Sequence, residues 1–281
     1  MNKNFNLQIL VFILFSVPGC VGTTNYTGFL DGSRGVTPIA KKYEGNTPAI
    51  SIEHPEDTVV IVYSHGTFRP QRYEDCSKRW NQVPSSILEL QDKNTRIYYL
   101  CSRATEPGST KHVGQYIFKR VSEVENVLDE LRGLGVPASN MFLAGHSAGG
   151  WTSLMSSKII GDKFNASIVF APAFAGKRSD TSRYPWWRKE ARPKQIVEML
   201  KSQRIEALVF AYKGDAFNRP IDLEFLTKAY PNSIEMISYG CALSNNHLTH
   251  IYDCRESETI EKMRNYIEKR LHRASSESHF Q

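Results

Sequence analysis

Short apolar runs alternate with longer amphipathic segments along the chain, and this alternation constrains the fold more than any other feature of the sequence. The runs are rich in β-branched and aromatic residues, which is typical of buried strands. The predicted strands are Ala49–His54, Thr58–Tyr63, Thr95–Leu100, Asn140–Ala144, Ala166–Ala171, Ile205–Tyr212 and Ser233–Tyr239. Amphipathic spacing predicts the helices Val113–Leu131, Trp151–Ile160 and a closing helix marked by Ile260, Met263, Ile267 and Leu271.

Strands that alternate with helices predict an α/β fold whose sheet is mostly parallel and doubly wound, with helices on both faces. One domain over residues 49–273 contains this pattern, and a polar tail follows at residues 274–281. The chain has 281 residues, of which 41% are hydrophobic, and no segment repeats. These features exclude a disordered tail, a solenoid and a multi-span membrane protein. In such a sheet, ligands bind beyond the carboxyl ends of the strands, so candidate site residues are expected there.

The first residues resemble a targeting signal and not a part of the fold. The apolar stretch Leu7–Val17 is shorter than the about 20 residues that span a membrane, but it has the length of a signal-peptide core. Val17-Pro18-Gly19-Cys20 then resembles the lipobox of bacterial lipoproteins, in which the cysteine becomes lipidated and N-terminal. An ordinary cleaved signal with an incidental cysteine is the alternative. We expect a signal peptide over residues 1–19, a lipid on Cys20, and a tether with an irregular first strand over residues 20–48.

Lipidation of Cys20 would hold the protein on a membrane of the bacterial cell envelope, facing the periplasm or the exterior, where disulfides form. The four other cysteines then allow three pairings. We favour Cys76–Cys101 and Cys241–Cys254, because each pair flanks one segment after a predicted strand. Reduced cysteines that fill core space are the alternative. Without a Cys-x-x-Cys pair or clustered histidines, the sequence indicates no metal site.

The clearest chemical motif is Gly145-His146-Ser147-Ala148-Gly149. It follows the apolar run Met141–Ala144 and opens the predicted helix that contains Trp151. This is the G-x-S-x-G pattern between a strand and a helix, where a sharp turn lifts the serine oxygen away from the backbone and small neighbours let strand and helix approach. A glycine-rich turn that only joins strand to helix is the alternative. The context favours Ser147 as a nucleophile.

Together with other segments, this motif resembles the α/β-hydrolase superfamily of serine hydrolases. Ile61–Thr67, which contains His65-Gly66, looks like the family's strand whose following loop supplies an oxyanion donor. The segments Phe170–Ala173 and Gly214–Phe217 and a late Asn-His loop are similar to bacterial dienelactone-hydrolase-like and prolyl-oligopeptidase-like enzymes. The resemblance spans about residues 49–271 and implies a catalytic triad in the order Ser, Asp, His.

This order implies that the acid follows the predicted strand Ile205–Tyr212, where Asp215 lies in a Gly-Asp turn. Asp222 comes later, in a more helix-like stretch, and fits less well. Two histidines, His247 and His250, follow the last predicted strand. The family places its base soon after that strand, which favours His247 and leaves His250 as the alternative.

The resemblance also implies the remaining chemistry. The oxyanion would be held by the backbone N–H groups of Ala148 and Thr67, and the expected reaction is hydrolysis of a carboxylic ester or related acyl bond through an acyl-enzyme. That reaction requires no metal and no organic cofactor. His65 and His146 are interpreted as structural parts of their turns.

The segment between the strands Ala166–Ala171 and Ile205–Tyr212 is expected to form a small basic cap after the sixth strand. Its basic residues are Lys177, Arg178, Arg183, Arg188, Lys189, Arg192, Lys194, Lys201 and Arg204, against Asp180, Glu190 and Glu198. A neighbouring aromatic group, Tyr184, Pro185, Trp186 and Trp187, could form a wall over the site. One interpretation is a lid for an anionic or aromatic acyl substrate, or for anionic lipid headgroups. The other is a solvated helix whose arginine stems cover apolar surface.

Two classes of function remain open from the sequence. The first is an envelope-attached serine hydrolase whose partners are a small acyl-ester substrate and, through the lipid, a membrane. The second is a catalytically silent scaffold of the same fold that binds a ligand or partner at the envelope. The net charge of +6 is modest for 281 residues and does not indicate a nucleic-acid partner.

If Cys20 carries the lipid, mass spectrometry of the mature protein from bacterial membranes should find Cys20 at the N-terminus with the added mass of acyl chains. Cys20→Ala should move the protein out of the membrane fraction, because buried acyl chains supply the membrane affinity. An unlipidated N-terminus at any other residue would contradict the assignment.

Overall fold

The computed structural model describes residues 27–30, 52–67, 76, 78–104, 115–174, 176–179 and 187–278. The expected signal peptide, Cys20, and the cap residues Tyr184, Pro185 and Trp186 lie outside the described residues, as does the side chain of Trp187. Of the helices in the described part, none has the length and apolar character needed to cross a membrane.

The described strands form one sheet in the order β1-β3-β2-β4-β5-β6-β7. All neighbours are parallel except β1, which is antiparallel to β3. Strands β2, β4, β5 and β6 are buried along their whole length, which explains why their sequences are unbroken apolar runs. The strands are β1 (Gly28–Phe29), β2 (Val59–Ser64), β3 (Thr95–Leu100), β4 (Met141–His146), β5 (Ala166–Phe170), β6 (Ala207–Tyr212) and β7 (Ile234–Tyr239).

Helices cover both faces of this sheet, which confirms the predicted α/β class. They are α1 (Ser85–Leu88), α2 (Gln115–Gly133), α3 (Ala148–Ile159), α4 (Arg192–Met199), α5 (Glu224–Ala229) and α6 (Glu256–Ser278). Helices α2 and α3 pack in the core on one face, and α1 and α6 pack in the core on the other. A π-helical turn, Trp187–Ala191, leads into α4. Helix α6 continues to Ser278, into the residues expected to form a polar tail.

The predicted strand Ala49–His54 is wrong where it can be compared. Its described part, Ile52–His54, leads into a turn in which the carbonyl of His54 accepts the N–H of Asp57 at 3.1 Å. His54 has φ 53°, which is incompatible with an extended strand, and the following Pro55 has no N–H to donate to a neighbouring strand. The basic segment therefore follows the fifth strand of the sheet, β5, and not the sixth.

The order of the strands opens a crevice at the carboxyl ends of two central strands, β2 and β4. Strand β3 lies on one side of β2, whereas β4 lies on the other side, so the direction of winding reverses between β2 and β4. Such a reversal leaves a gap between the connections that follow the two strands. Strand β2 ends at Ser64 and β4 ends at His146, so the two motifs found in the sequence meet at this point.

Two glycines allow α3 to begin directly against the sheet. A Cβ atom on Gly149 would lie 2.0 Å from the carbonyl oxygen of Ser64, and a Cβ atom on Gly145 would lie 2.6 Å from the carbonyl carbon of Gly149. Neither approach leaves room for a methyl group, because the opposing atoms belong to the backbone and cannot rotate away. The small residues of the motif therefore set the distance between β2, β4 and α3.

Gly149→Ala should lower the free energy of unfolding by about 3 kcal/mol, the upper part of the range for overpacking, because the new methyl group meets backbone. Gly133→Ala is the matched control, since no atom lies within 4 Å of its added Cβ. This control should be neutral or stabilising by about 0.5–1 kcal/mol. Urea denaturation measures both changes, and equal stabilities for the two variants would contradict the packing argument.

Candidate active site

Ser147 stands at the turn between β4 and α3 in a backbone conformation that is rare for a residue with a side chain. Its φ and ψ are 53° and −117°, a conformation that costs of order 1–3 kcal/mol. Its backbone groups are nevertheless satisfied. The N–H donates to the carbonyl of Phe170 at 3.0 Å, and the carbonyl accepts from Trp151 at 2.9 Å and from Ala173 at 3.0 Å. The turn is therefore held by β5 and α3 on either side.

The side chains of Ser147, His247 and Asp215 form one continuous chain of contacts. Ser147 Oγ lies 2.8 Å from His247 Nε2, and His247 Nδ1 lies 2.9 Å from Asp215 Oδ2. All three residues are buried, and the carboxylate of Asp215 is fully removed from solvent. The structure thus brings together the predicted nucleophile, acid and preferred base.

Asp215 and His247 are each oriented by a contact outside this chain. The second carboxylate oxygen of Asp215 accepts the N–H of Phe217 at 2.6 Å. His247 lies in the 3₁₀ turn Asn246–Leu248, and the side chain of Asn245 accepts the N–H of His247 at 3.1 Å. The ring of Phe217 packs on the imidazole with 4.2 Å between centroids. These contacts keep the imidazole directed at Ser147.

The loop that carries His247 is also closed on itself. The disulfide Cys241–Cys254, one of the two predicted pairs, joins its two ends. Inside the loop, Asn246 Oδ1 accepts the N–H of Cys241 at 2.8 Å and the hydroxyl of Thr249 at 3.1 Å. The position of the imidazole therefore depends on a covalent closure and on one buried amide.

The alternative base, His250, lies behind this site. Its ring stacks on the ring of His146 with 3.5 Å between centroids, and His146 donates from Nε2 to the carbonyl of His247 at 2.8 Å. Burial, followed by the neighbouring histidines, lowers the pKa of both His146 and His250 well below the ordinary value. Both rings are therefore neutral at pH 7 and pack beneath His247. Asp222, the alternative acid, instead contacts Arg219.

No protein-family model and no curated protein sequence matches this chain. Solved structures do match it. The structure of DcsB with its substrate analogue has a TM-score of 0.58 at 11% identity and covers 76% of this chain and 91% of its own. The butyrate-bound esterase Est2 of Thermogutta terrifontis has a TM-score of 0.52 at 15% identity, over 76% and 84%. Est1E from Butyrivibrio proteoclasticus, with ferulic acid bound, has a TM-score of 0.53 at 15% identity, over 78% and 91%.

The chain has the α/β-hydrolase fold. At these identities the likeness establishes the fold alone, because one fold can carry many activities or none. The function must therefore be argued from the site.

The loop after β2 in this α/β-hydrolase fold contains His65-Gly66 and lies against the nucleophile. A Cβ atom on Gly66 would lie 3.2 Å from Ser147 Cβ. The His65 ring is fixed at both nitrogens, since Nε2 accepts the N–H of Ser102 at 3.0 Å and Nδ1 donates to the carbonyl of Gly66. Burial, and then the charge of Arg120, lowers the pKa of His65 well below its usual value, so the ring is neutral.

Arg120, a residue of α2, is a member of this site that sequence reasoning missed. It is only 1% exposed, and its guanidinium donates to the carbonyl of His65 at 2.6 Å and to that of Gly66 at 3.4 Å. In a trans peptide the C=O and the following N–H point in opposite directions. The N–H groups of Gly66 and Thr67 therefore face away from Arg120. A signal was present, because Arg120 interrupts the apolar stripe formed by Ile117, Val121 and Val124.

The other predicted disulfide, Cys76–Cys101, is present beside this loop. Cys101 directly precedes Ser102, whose N–H binds the His65 ring. His65, Cys76 and Cys101 lie close enough to hold a metal ion, as do Cys241, Asp253 and Cys254. In both groups the two sulfur atoms are joined in a disulfide and offer no thiolate ligand.

Proposed function

We propose that the protein is a serine hydrolase that cleaves carboxylic ester or related acyl bonds through an acyl-enzyme on Ser147. The observation that carries the proposal is the pair of short contacts, 2.8 Å from Ser147 Oγ to His247 Nε2 and 2.9 Å from His247 Nδ1 to Asp215 Oδ2. A scaffold that only binds a ligand does not require an imidazole aligned between a hydroxyl and a buried carboxylate. The arrangement therefore favours catalysis over the silent-scaffold alternative.

The contacts define a role for each group. Since Asp215 accepts a hydrogen bond, the proton of neutral His247 resides on Nδ1 and leaves Nε2 free to accept the proton of Ser147. Ser147 Oγ attacks the acyl carbon, and the imidazolium is stabilised by the adjacent carboxylate of Asp215. The imidazolium then protonates the leaving alcohol. Water repeats the sequence and releases the acid.

The negative charge on the tetrahedral intermediate requires donors beside Ser147. Ala148 begins α3, so its N–H has no acceptor within the helix. The N–H of Thr67 belongs to the peptide whose carbonyl Arg120 and His65 hold. We assign Ala148 and Thr67 as the oxyanion donors and Arg120 as a positioning residue that orients the Thr67 peptide. Donors fixed before the reaction stabilise the intermediate without reorganisation.

The structural neighbours agree with an ester substrate. Est2 is an esterase whose structure holds butyrate, and Est1E holds ferulic acid. We further propose, from the lipobox-like sequence before Cys20, that the hydrolase acts at the bacterial envelope on a lipid anchor. The two disulfides are in keeping with an oxidising compartment.

Ser147→Ala should abolish ester turnover, with a loss of about 10⁴-fold or more, because the nucleophile acts as a unit with His247 and Asp215. A fluorophosphonate probe should label the intact, oxidised wild type and not the variant. Ser153→Ala is the matched control: it removes a buried hydroxyl of the same helix that donates to the carbonyl of Gly149 at 3.1 Å, and it should retain turnover. Failure of the wild type to label or to hydrolyse an ester library would favour the silent scaffold.

Arg120→Met should lower kcat for an ester by about 100-fold with a smaller change in KM, since a misplaced oxyanion donor weakens only the transition state. The variant should also lose about 1–3 kcal/mol of stability, because the buried carbonyl of His65 loses its side-chain donor and that of Gly66 keeps only the His65 ring. Arg132→Met, on the exposed side of the same helix, is the control and should change neither. A folded Arg120→Met protein with unchanged kcat would refute the positioning role.

A further inference from the structure

Three arginines of the basic segment lie close together and are here named the arginine cluster: Arg178, Arg188 and Arg192. Arg178 and Arg188 contact the loop of Asp215. Arg192 instead donates to the carbonyl of Asp222 at 2.7 Å and lies over the ring of Trp151. None of them extends into solvent as a surface residue does, and each is partly buried. Lys189, Lys194 and Lys201 of the same segment are exposed. Apart from the exposed Arg204, the described part of the segment therefore separates into solvated lysines and inward arginines.

The arginine cluster has too few counter-charges among the described residues. Asp222 is the acidic group nearest to it, but Asp222 Oδ2 already accepts the N–H and Nε of Arg219 at 2.8 and 3.3 Å. Arg178 Nε forms an ion pair with the same oxygen at 3.9 Å, too long for a hydrogen bond, so this one carboxylate is shared between Arg219 and the arginine cluster. The carboxylate of Asp215 is used by His247 and by the N–H of Phe217.

The pKa of one guanidinium and the unused donors of the two others reflect this shortage of negative charge. Burial, and then the charges of Arg192 and Arg178, lowers the pKa of Arg188 to about 10 against the opposing effect of Asp222. Nε of Arg178 and Nε of Arg192 are buried and have no hydrogen-bond partner in the described part of the chain. Partly buried cations with unused donors are costly unless an anion completes them.

The arginine cluster adjoins the reacting groups through the loop that carries the acid. Arg178 donates to the carbonyl of Asp215 at 3.0 Å, and Arg188 donates to the carbonyl of Phe217. The ring of Phe217 packs directly on the imidazole of His247. Phe217 thus lies between the Arg188 guanidinium and the imidazole of His247. A substrate whose ester lies at Ser147 could therefore reach the arginine cluster with another group of the same molecule.

We propose that the arginine cluster binds an anionic group of the substrate, a carboxylate or a phosphate, a few bonds from the ester that Ser147 attacks. This inference rests on the proposed hydrolase function and adds a substrate class to it: esters that carry a negative charge. A guanidinium presents five N–H donors, and the backbone carbonyls engage only some of them. The remaining donors match the oxygens of a carboxylate or phosphate.

The test compares charged and neutral esters that share the same ester group and carbon skeleton or alcohol. Monoethyl adipate and ethyl hexanoate differ by a carboxylate on the acyl side, and the acetyl ester of glycerol phosphate and glycerol monoacetate differ by a phosphate on the alcohol side. The ratio of kcat/KM for the charged ester to that for the neutral ester should exceed one in wild type for at least one pair. The pair that shows it identifies the anion. High salt should lower the ratio.

Arg188→Gln and Arg178→Gln should each lower that ratio about tenfold, because each removes a charged donor from the anion. Lys189→Gln is the matched control, since it removes an equal charge from an exposed neighbour. If the arginines only support the loops, both esters of a pair should slow equally and the ratio should not move. That result, or a wild-type ratio at or below one for both pairs, would overturn the proposal.

A binding measurement separates this inference from the proposed function. Ser147→Ala should bind adipate in titration calorimetry, and Ser147→Ala combined with Arg188→Gln should bind it about tenfold more weakly. If wild type hydrolyses no ester while this difference holds, the hydrolase proposal fails and the anion site stands. If hydrolysis depends on Ser147 while the arginine substitutions change neither adipate binding nor the ester ratio, the anion site fails and the hydrolase proposal stands.

Discussion

The close approach of α3 to the carboxyl ends of β2 and β4 is the constraint on which the rest of the structure depends. Gly145 and Gly149 permit it, and Ser147 accepts a strained backbone because its N–H and C=O are both bound. The same approach brings the loop after β2 against the serine, with 3.2 Å between Ser147 Cβ and the position of a Cβ on Gly66. Ser147 and the loop after β2 are therefore positioned by one packing contact between backbones.

Around this contact, each loop of the site is tied down by an interaction between residues far apart in sequence. Arg120, buried in α2, holds the carbonyls of the loop after β2. The disulfide Cys241–Cys254 and the amide of Asn246 close the loop that carries the base. Loops are ordinarily the most mobile parts of a fold. Here they are fixed by a guanidinium, a covalent bond and a buried amide, and such preorganisation is what the proposed acyl transfer requires.

The charges around the triad are distributed unevenly. On one side, burial keeps His65, His146 and His250 neutral, so they pack as aromatic rings and add no positive charge next to the base. On the other side, Arg178 and Arg188 bring cationic groups to the loop of the acid. The charge around the triad is therefore asymmetric, with neutral rings packed behind the imidazole and cationic groups beside the loop of Asp215.

The sequence by itself predicted the α/β class and the serine turn, because strand and helix periodicity and turn residues are local properties. The family resemblance implied the acid after β6, and the cysteine spacing favoured both disulfide pairs without excluding reduced cysteines. The sequence did not determine the role of Arg120. The helical pattern predicts which face of the helix carries Arg120, but it does not predict which residues pack against that face. The sequence pattern also placed a strand before Pro55, where a turn forms. Only the tertiary structure decided between His247 and His250, and separated inward arginines from solvated lysines. Both outcomes depend on how loops close over the sheet, and that closure is set by packing and hydrogen bonds between residues that are distant in the chain.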